Sequence, residues 1–462
     1  MVHPKGPAVE RREEGTQMPD AEMDTTFAKL NLISKRAQEE PDCQFTSLAH
    51  LLNKGYLKAC YKKLGRNRAC GVDNVTWKEY GQKLDENLES LVGRLKSRKY
   101  KPLPARRVYI PKNEHEKRPL GLPALEDKIV QKGIAGILEA IYEADFLDCS
   151  YGFRPGRGCH QAINAVDKTI MTKPINHIIE ADIKGCFDNI SHDWLMKFLE
   201  VRIKDTSLLI IIRRLLKAGY LEADMKVATE QGTPQGGNLS PMFCNVFLHY
   251  VLDLWFEKKI KPQVNGNAYL VRYADDFVCM VRTVGAAHEI EAMLKERFTK
   301  FDLELHPEKT RVLSFGRYER ENAKNQNRRP NTFDFLGFTH YCETSRKGKF
   351  MVNRKTSSKK FRQKCKDMNA WLKAVRNTAQ AKDWWPILSA KLRGHYQYYG
   401  VSGNMPAMQQ YHSTTLRLTR KWLNRRSQRG KFSWRRFIEY LKHYPLPEPR
   451  IVHNLFTLTP VT

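Results

Sequence analysis

Apolar positions in this chain recur with two distinct periods. Leu48, Leu51, Leu52, Leu57 and Cys60 keep helical spacing from Ser47 onward, as do Leu84, Leu88, Leu91, Val92 and Leu95. The pattern predicts two amphipathic helices separated by the turn Gly71-Val-Asp-Asn74. Arg106 to Lys112 alternates as a strand, and Arg118 to Pro123 brings the chain back into a helix over Leu125 to Leu138. Ile175 to Asp182 reads as an apolar strand that ends in a carboxylate, and helical spacing resumes at His192 through Trp194, Leu195, Phe198 and Leu199. The Gly- and Pro-rich run Gln231 to Pro241 opens a long apolar helix over Met242 to Phe256. Tyr269 to Val281 then reads as two short strands, rich in β-branched and aromatic residues, joined at an acidic turn. Residues 1 to 25, polar and interrupted by Pro4, Pro7 and Pro19, are expected to be a disordered lead-in.

The acidic turn is the first candidate for chemistry. Asp275 and Asp276 are adjacent carboxylates between apolar arms, which is either a solvated hairpin turn or a repulsive pair held together by a cation. Hard divalent cations with oxygen ligands meet the second demand, Mg²⁺ best where phosphates complete the shell. Asp182, at the end of its strand and just before a turn, is either a helix or turn cap or the carboxylate of a site on a mixed sheet. Lys112 and Arg118 flank a tight connection from which both could reach a triphosphate, although basic residues beside a turn are commonly solvated surface. In Gln231 to Pro241, glycines followed by a helix N-terminus let backbone N–H groups approach a ligand, and no Gly-Lys-Ser/Thr follows to make it a P-loop.

Charge sharpens the picture. The net charge is +29, and the region after residue 340 holds 26 of the 79 Lys and Arg but only 5 of the 50 Asp and Glu. Interleaved with Trp371, Trp384, Trp385, Tyr396, Tyr398, Tyr399, Trp422 and Trp434, this excess suits phosphate contacts with base stacking. The ten cysteines form no Cys-x-x-Cys pair, which argues against a zinc site and for a reducing, intracellular setting. No apolar run is long enough to span a membrane.

Taken in order, Ile179 to Asp188, Gln231 to Pro241, Arg272-Tyr-Ala-Asp-Asp276, Leu305-His-Pro-Glu-Lys-Thr310 and Phe333-Asp-Phe-Leu-Gly-Phe338 resemble the reverse transcriptases encoded by bacterial group II introns. Tyr151 to Gly158 resembles the template-side motif of that family, and Leu392 to Gly400 its maturase segment. The resemblance, from about Ser47 to Tyr444, implies an α+β right-hand polymerase. Its fingers and palm, with antiparallel sheet flanked by helices, would occupy residues 26 to 340. A basic α-helical thumb and maturase region would follow over 341 to 462.

The same resemblance implies the site. Asp182, Ile183, Asp275 and Asp276 would be the metal set for two Mg²⁺ ions, with Mn²⁺ as a substitute, and Asp276 in a supporting role. Lys112, Arg118, Phe187, Gln235 and Gly236 would bind the nucleotide, Phe187 as the wall that excludes a 2′-hydroxyl. Lys309 would protonate pyrophosphate. Arg154, Arg157, Arg393, Tyr396, Arg425, Arg426 and Arg429 would contact RNA.

The function implied is RNA-directed DNA synthesis from deoxynucleoside triphosphates on an RNA template and DNA primer. Binding of group II intron RNA for splicing and later insertion into target DNA would accompany it, in the bacterial cytoplasm and at the nucleoid. No cysteine set for a zinc-bearing His-Asn-His endonuclease domain follows, so a priming route without second-strand nicking is expected. Two alternatives stand beside this reading: a maturase that only binds RNA, and a related polymerase serving phage defence or sequence diversification. The oligomeric state stays open.

Overall fold

The computed structural model describes residues 21–111, 117–222, 225–227, 231–233, 236–264, 266–378, 380–426 and 432–455. Eleven strands are described: β1 (Ala105–Pro111), β2 (Lys117–Leu122), β3 (His177–Asp182), β4 (Tyr220–Glu222), β5 (Met225–Val227), β6 (Ala268–Tyr273), β7 (Asp276–Val281), β8 (Arg311–Ser314), β9 (Thr332–Phe335), β10 (Phe338–Thr344) and β11 (Phe350–Thr356). The chain divides into two units, one of residues 1–145, 199–230 and 234–240, the other of 146–198, 231–233 and 241–462.

In the first unit, the helix Leu125–Tyr142 buries Ile129, Val130, Ile134, Ile137, Leu138 and Ile141, too broad an apolar face for a surface helix. The helices Ala21–Glu39 and Lys54–Lys62 cover it. The first of these begins inside the stretch expected to be a disordered lead-in, because Leu30 and Ala37 are buried and Thr26 Oγ1 accepts a hydrogen bond from Asn53 Nδ2 at 2.8 Å. The helix expected from Ser47 is split. Asp205 accepts from the Leu48 and Ala49 N–H groups at 2.6 and 2.7 Å, and Asn53 then caps a new start through Tyr56 N. A sheet of order β2-β1-β4-β5 completes the unit, with β1, the strand that the alternation predicted, antiparallel to β2.

The second unit is built on an antiparallel sheet of order β6-β7-β3-β8. Its alternation separates two faces. Val278 and Met280 join a core with Ile163 and Val166 of the helix Cys159–Thr172, while Phe277 packs edge-on against Phe298 of the helix Val284–Thr299. A second sheet, β11-β10-β9, is pinned to the Cys159–Thr172 helix from inside. There Asp167 takes His340 Nδ1 at 3.1 Å and Arg354 Nη2 at 2.8 Å, all three side chains at most 2% exposed. Among the described residues, no helix is long and apolar enough to cross a membrane.

Residue 340 lies inside β10, and one hydrophobic core runs from Tyr151 through Phe338 to Leu392 and Leu455. One expectation changes here. The aromatic residues of the basic region are mostly not available for base stacking. Trp384, Trp385, Tyr396, Tyr399 and Trp422 are buried, because they form the inward stripes of the helices Ala381–Tyr399 and Met405–Asn424. Trp434, 42% exposed, stays at the surface.

Candidate active site

The chain order of the carboxylates gives no hint of their distance, but strand pairing does. β3 and β7 pair antiparallel with Asp182 opposite Asp276, and β6 and β7 form a hairpin whose turn carries Ala274 and Asp275. Residues facing each other across an antiparallel pair stand about 5 Å apart at Cβ. The three carboxylates named from the sequence therefore belong to one sheet end.

The turn that presents them is conformationally unusual. Ala274 has φ of 58°, the left-handed region that a residue with a Cβ enters at a cost. Arg272, fully buried two residues earlier, holds it there: Nη1 donates to Ala274 O at 2.9 Å and to Asn245 Oδ1 at 3.2 Å. The rest of the guanidinium grips Asp253, with Nε to Oδ1 at 2.8 Å and Nη2 to Oδ2 at 2.5 Å, and Nη2 also donates to Ser150 Oγ. Asp253 arrives through a wide π turn, His249–Asp253, that interrupts the apolar helix begun at Ser240. Sequence reasoning missed this network. Its signal was present: an arginine inside an apolar strand, and a single acidic residue in the apolar run Met242 to Phe256.

Backbone contacts complete the support. Tyr151 N donates to Arg272 O at 2.8 Å, and Arg272 N to Cys149 O at 2.7 Å. A Cβ on Gly152 would lie 2.4 Å from Ala274 N, so only glycine lets this loop approach the turn. Arg154 and Arg157, expected at RNA, instead hold the loop. Arg154 is buried and donates to the carbonyls of Leu147 and Ser150, and Arg157 pairs with Asp148 at 2.7 Å, its side chain 10% exposed.

Around Asp182, Ile183 bridges Leu305, and His306 N donates to Asp182 O at 2.8 Å. The tight turn after His306 brings Lys309 Nζ onto Asp182 Oδ2. Phe187 lies half-buried on the short helix Cys186–Asn189, its carbonyl taken by Thr233 N at 2.7 Å. A Cβ on Gly232 would meet Asp188 O at 2.6 Å. The Gly-rich run thus clamps the Phe187 segment.

In the first unit, Arg118 sits exposed on β2 opposite Ile110, and Gly236, with φ of +106°, comes close to Gly121 O of the same strand. Lys112, Gln235 and Arg429 lie outside the described residues. Arg393, Arg425 and Arg426 are exposed. Tyr396, expected at RNA, is buried, its hydroxyl hydrogen-bonded to His412 Nδ1 at 2.7 Å.

The electrostatics of the sheet end call for a cation. Burial, then Asp182, Asp275 and Glu180, push the Asp276 carboxyl up to about 8, with Lys309 opposing. Among the described residues no three His, Cys, Asp or Glu side chains form a ready metal cage. Paired carboxylates that repel, without a full cage, suit a hard divalent ion that takes its remaining ligands from phosphates.

Comparison with known proteins settles the family. The family model described as reverse transcriptase (RNA-dependent DNA polymerase) matches residues 110–340, half of the chain and the whole carboxylate site. The chain belongs to the reverse transcriptases. Within that family it resembles group II intron proteins. It is 39% identical over 241 residues to the group II intron-encoded protein LtrA of Lactococcus lactis subsp. cremoris, a match covering 52% of this chain and 40% of that protein. It is 35% identical over 254 residues to protein YkfC of Escherichia coli, covering 49% of this chain and 66% of that one. A nuclear intron maturase of Arabidopsis thaliana is 28% identical over 179 residues, 34% of this chain and 25% of its own length. The chain thus spans less than half the length of the Lactococcus relative.

Two predictions follow from this reverse transcriptase's geometry. Gly152→Ala forces the loop off Ala274, so primer extension is expected to fall at least about tenfold while RNA affinity holds. Parallel extension and filter-binding assays check this, and unchanged extension refutes the clamp. The second concerns pH. Because the folded pKa of Asp276 lies above its ordinary 3.8, the fold holds that proton more tightly than the unfolded chain does, and stability is lost as pH rises from about 4 towards 8. Without divalent cations, wild-type protein should melt at a lower temperature at pH 8.5 than at pH 6. Asp276→Asn should shrink that gap by about 2–4 °C per kcal/mol of relieved repulsion, read by thermal denaturation.

Proposed function

We propose that this protein is an RNA-directed DNA polymerase that also binds group II intron RNA to assist splicing and retromobility. The observation that carries the reading is Asp182 in register with Asp276, with Asp275 on the same turn, in a chain of the reverse transcriptase family. Divalent cations, Mg²⁺ with Mn²⁺ as a substitute, would supply the charge that lowers the pKa of a primer 3′-hydroxyl and offsets that of the triphosphate and leaving pyrophosphate. Asp182 and Asp275 would hold them, with the Ile183 main chain beside them and Asp276 in support.

The chain's own groups do the remainder. Lys309, ion-paired with Asp182, would give a proton to the leaving pyrophosphate. Phe187, on a segment fixed by Gly232 and Thr233, would wall off the 2′ position of the incoming nucleotide. Arg118, with Lys112, Gln235 and Gly236, would bind the triphosphate. The basic helices from Ser358 onward would serve as thumb and maturase region, and exposed Arg393, Arg425 and Arg426 would meet RNA phosphates. A carboxylate cluster that repels itself is of no use to a module that only binds RNA, which favours polymerase activity over an idle palm.

Extension of a DNA primer on an RNA template should need a divalent cation and drop by roughly a thousandfold or more on Asp275→Ala, with splicing assistance and intron-RNA affinity retained. Near wild-type extension by that variant would sink the assignment. For Phe187→Val, the ratio of ribonucleotide to deoxynucleotide incorporation should rise by at least about tenfold in folded protein. A ratio equal to wild type would return Phe187 to a packing role.

A further inference from the structure

The short helix Cys186–Asn189 carries Phe187 between the strand that ends at Asp182 and the helix His192–Arg202. Against it, within the same unit, runs the stretch Gln231 to Thr233. Backbone contacts join the two: Gln231 bridges Ser191, Gly232 N donates to Ile190 O at 2.8 Å, and Thr233 N donates to Phe187 O at 2.7 Å. A side chain joins them as well. His192 Nε2 lies 2.7 Å from Gly232 O, and since a carbonyl only accepts, that nitrogen carries the proton.

Gly232 O and Thr233 N–H belong to one peptide unit. The peptide bond is planar, so its carbonyl and its N–H point in opposite directions and turn together. His192 holds one end and Phe187 O receives the other, which makes the unit a rigid link from the imidazole to the backbone of Phe187. A peptide beside glycine turns over more easily than others, because no Cβ narrows the choice of backbone angles. Gly232 has φ of +85°, and a Cβ there would meet Asp188 O at 2.6 Å. The close approach that makes the link possible therefore requires the residue that least resists its rotation. A second group has to fix the peptide, and His192, 6% exposed, does so. Gly232 and Thr233 are buried too, so without the imidazole N–H the carbonyl loses a bond that bulk water is not there to replace.

We infer that His192 is a positioning residue for sugar selection: through the Gly232–Thr233 peptide it fixes the Phe187 segment, and so the strictness with which deoxynucleotides are chosen over ribonucleotides. This rests on the reading of Phe187 as the wall at the 2′ position. Thr233 Oγ1, 3.4 Å from Phe187 O, is too distant to replace the backbone N–H. A wall excludes a 2′-hydroxyl only while it cannot recede, and a hydroxyl needs little room. His192 thus acts through Phe187 rather than on the reacting atoms.

The full chain is compared with His192→Phe, which keeps a ring and loses the donor, with His192→Gln, which keeps a donor, and with Phe187→Val alone and combined with His192→Phe. Single-nucleotide extension of a DNA primer on an RNA template gives kcat and KM for a deoxynucleotide and for the matching ribonucleotide. In His192→Phe the ratio of ribonucleotide to deoxynucleotide kcat/KM should rise roughly fivefold, the equivalent of one hydrogen bond. His192→Gln should stay within about twofold of wild type. In the Phe187→Val background, His192→Phe should add nothing to the ratio, because two changes along one link are not additive. A role in packing alone would lower extension with both nucleotides together and leave the ratio where it was.

An unchanged ratio in His192→Phe beside a raised one in Phe187→Val overturns the inference, and a full further rise in the double variant does the same. An unchanged ratio in Phe187→Val rejects the wall itself, and with it the role of His192. Should His192→Phe fail to fold, His192→Asn, whose amide falls short of the reach of Nε2, is held to the same expected rise. Wild-type protein that never extends the primer rejects the polymerase reading and this inference together.

Discussion

The candidate site depends on one buried ion pair. Arg272 and Asp253 both have fully buried side chains, and two charges removed from water are tolerable only if each satisfies the other and every remaining donor finds an acceptor. Arg272 meets that condition with five hydrogen bonds to Asp253, Asn245, Ala274 and Ser150. Removing one partner of such a pair typically costs about 3–5 kcal/mol, because the other is left charged in an apolar setting. One of the five bonds ends on the carbonyl of Ala274, whose left-handed backbone sets the direction of Asp275 and Asp276. The pair therefore does more than stabilise: it converts a strained turn into a fixed one.

Glycines supply the complementary condition, which is closeness. The loop at Gly152 and the run at Gly232 come within 2.4 and 2.6 Å of neighbouring backbone if a Cβ is imagined there, so each is a place where a side chain would push the site apart. One supports the carboxylate turn, the other the segment of Phe187. The resulting arrangement is well packed yet electrostatically incomplete. Asp276 holds its proton far above the ordinary range, and Lys309 leans on Asp182, a state in which a divalent cation would relieve the repulsion.

The C-terminal basic region belongs to the same body as the carboxylate sheet. Its helices bury aromatic stripes against the β9 to β11 sheet, and the triad of Asp167, His340 and Arg354 ties that sheet to the helix behind the carboxylate sheet. A substitution in these helices can therefore disturb synthesis through packing alone.

Much of this was legible along the chain. The spacing of apolar residues gave the helix Leu84–Lys96, the β1–β2 connection, the strand ending at Asp182 and the acidic hairpin, because periods of two and near 3.6 are imposed by local backbone geometry. Motif order pointed to the family. What local pattern could not decide was which residues face inward once elements pack. Aromatic and basic residues mixed in sequence as if for stacking on bases, yet they separate onto opposite sides of their helices, and Arg154 and Tyr396 turn inward. Nor could spacing bring Asp253 to Arg272 or Asp182 to Asp276. Those meetings are set by strand register and by which side chains can share a buried volume, and both are properties of the folded chain rather than of any one segment.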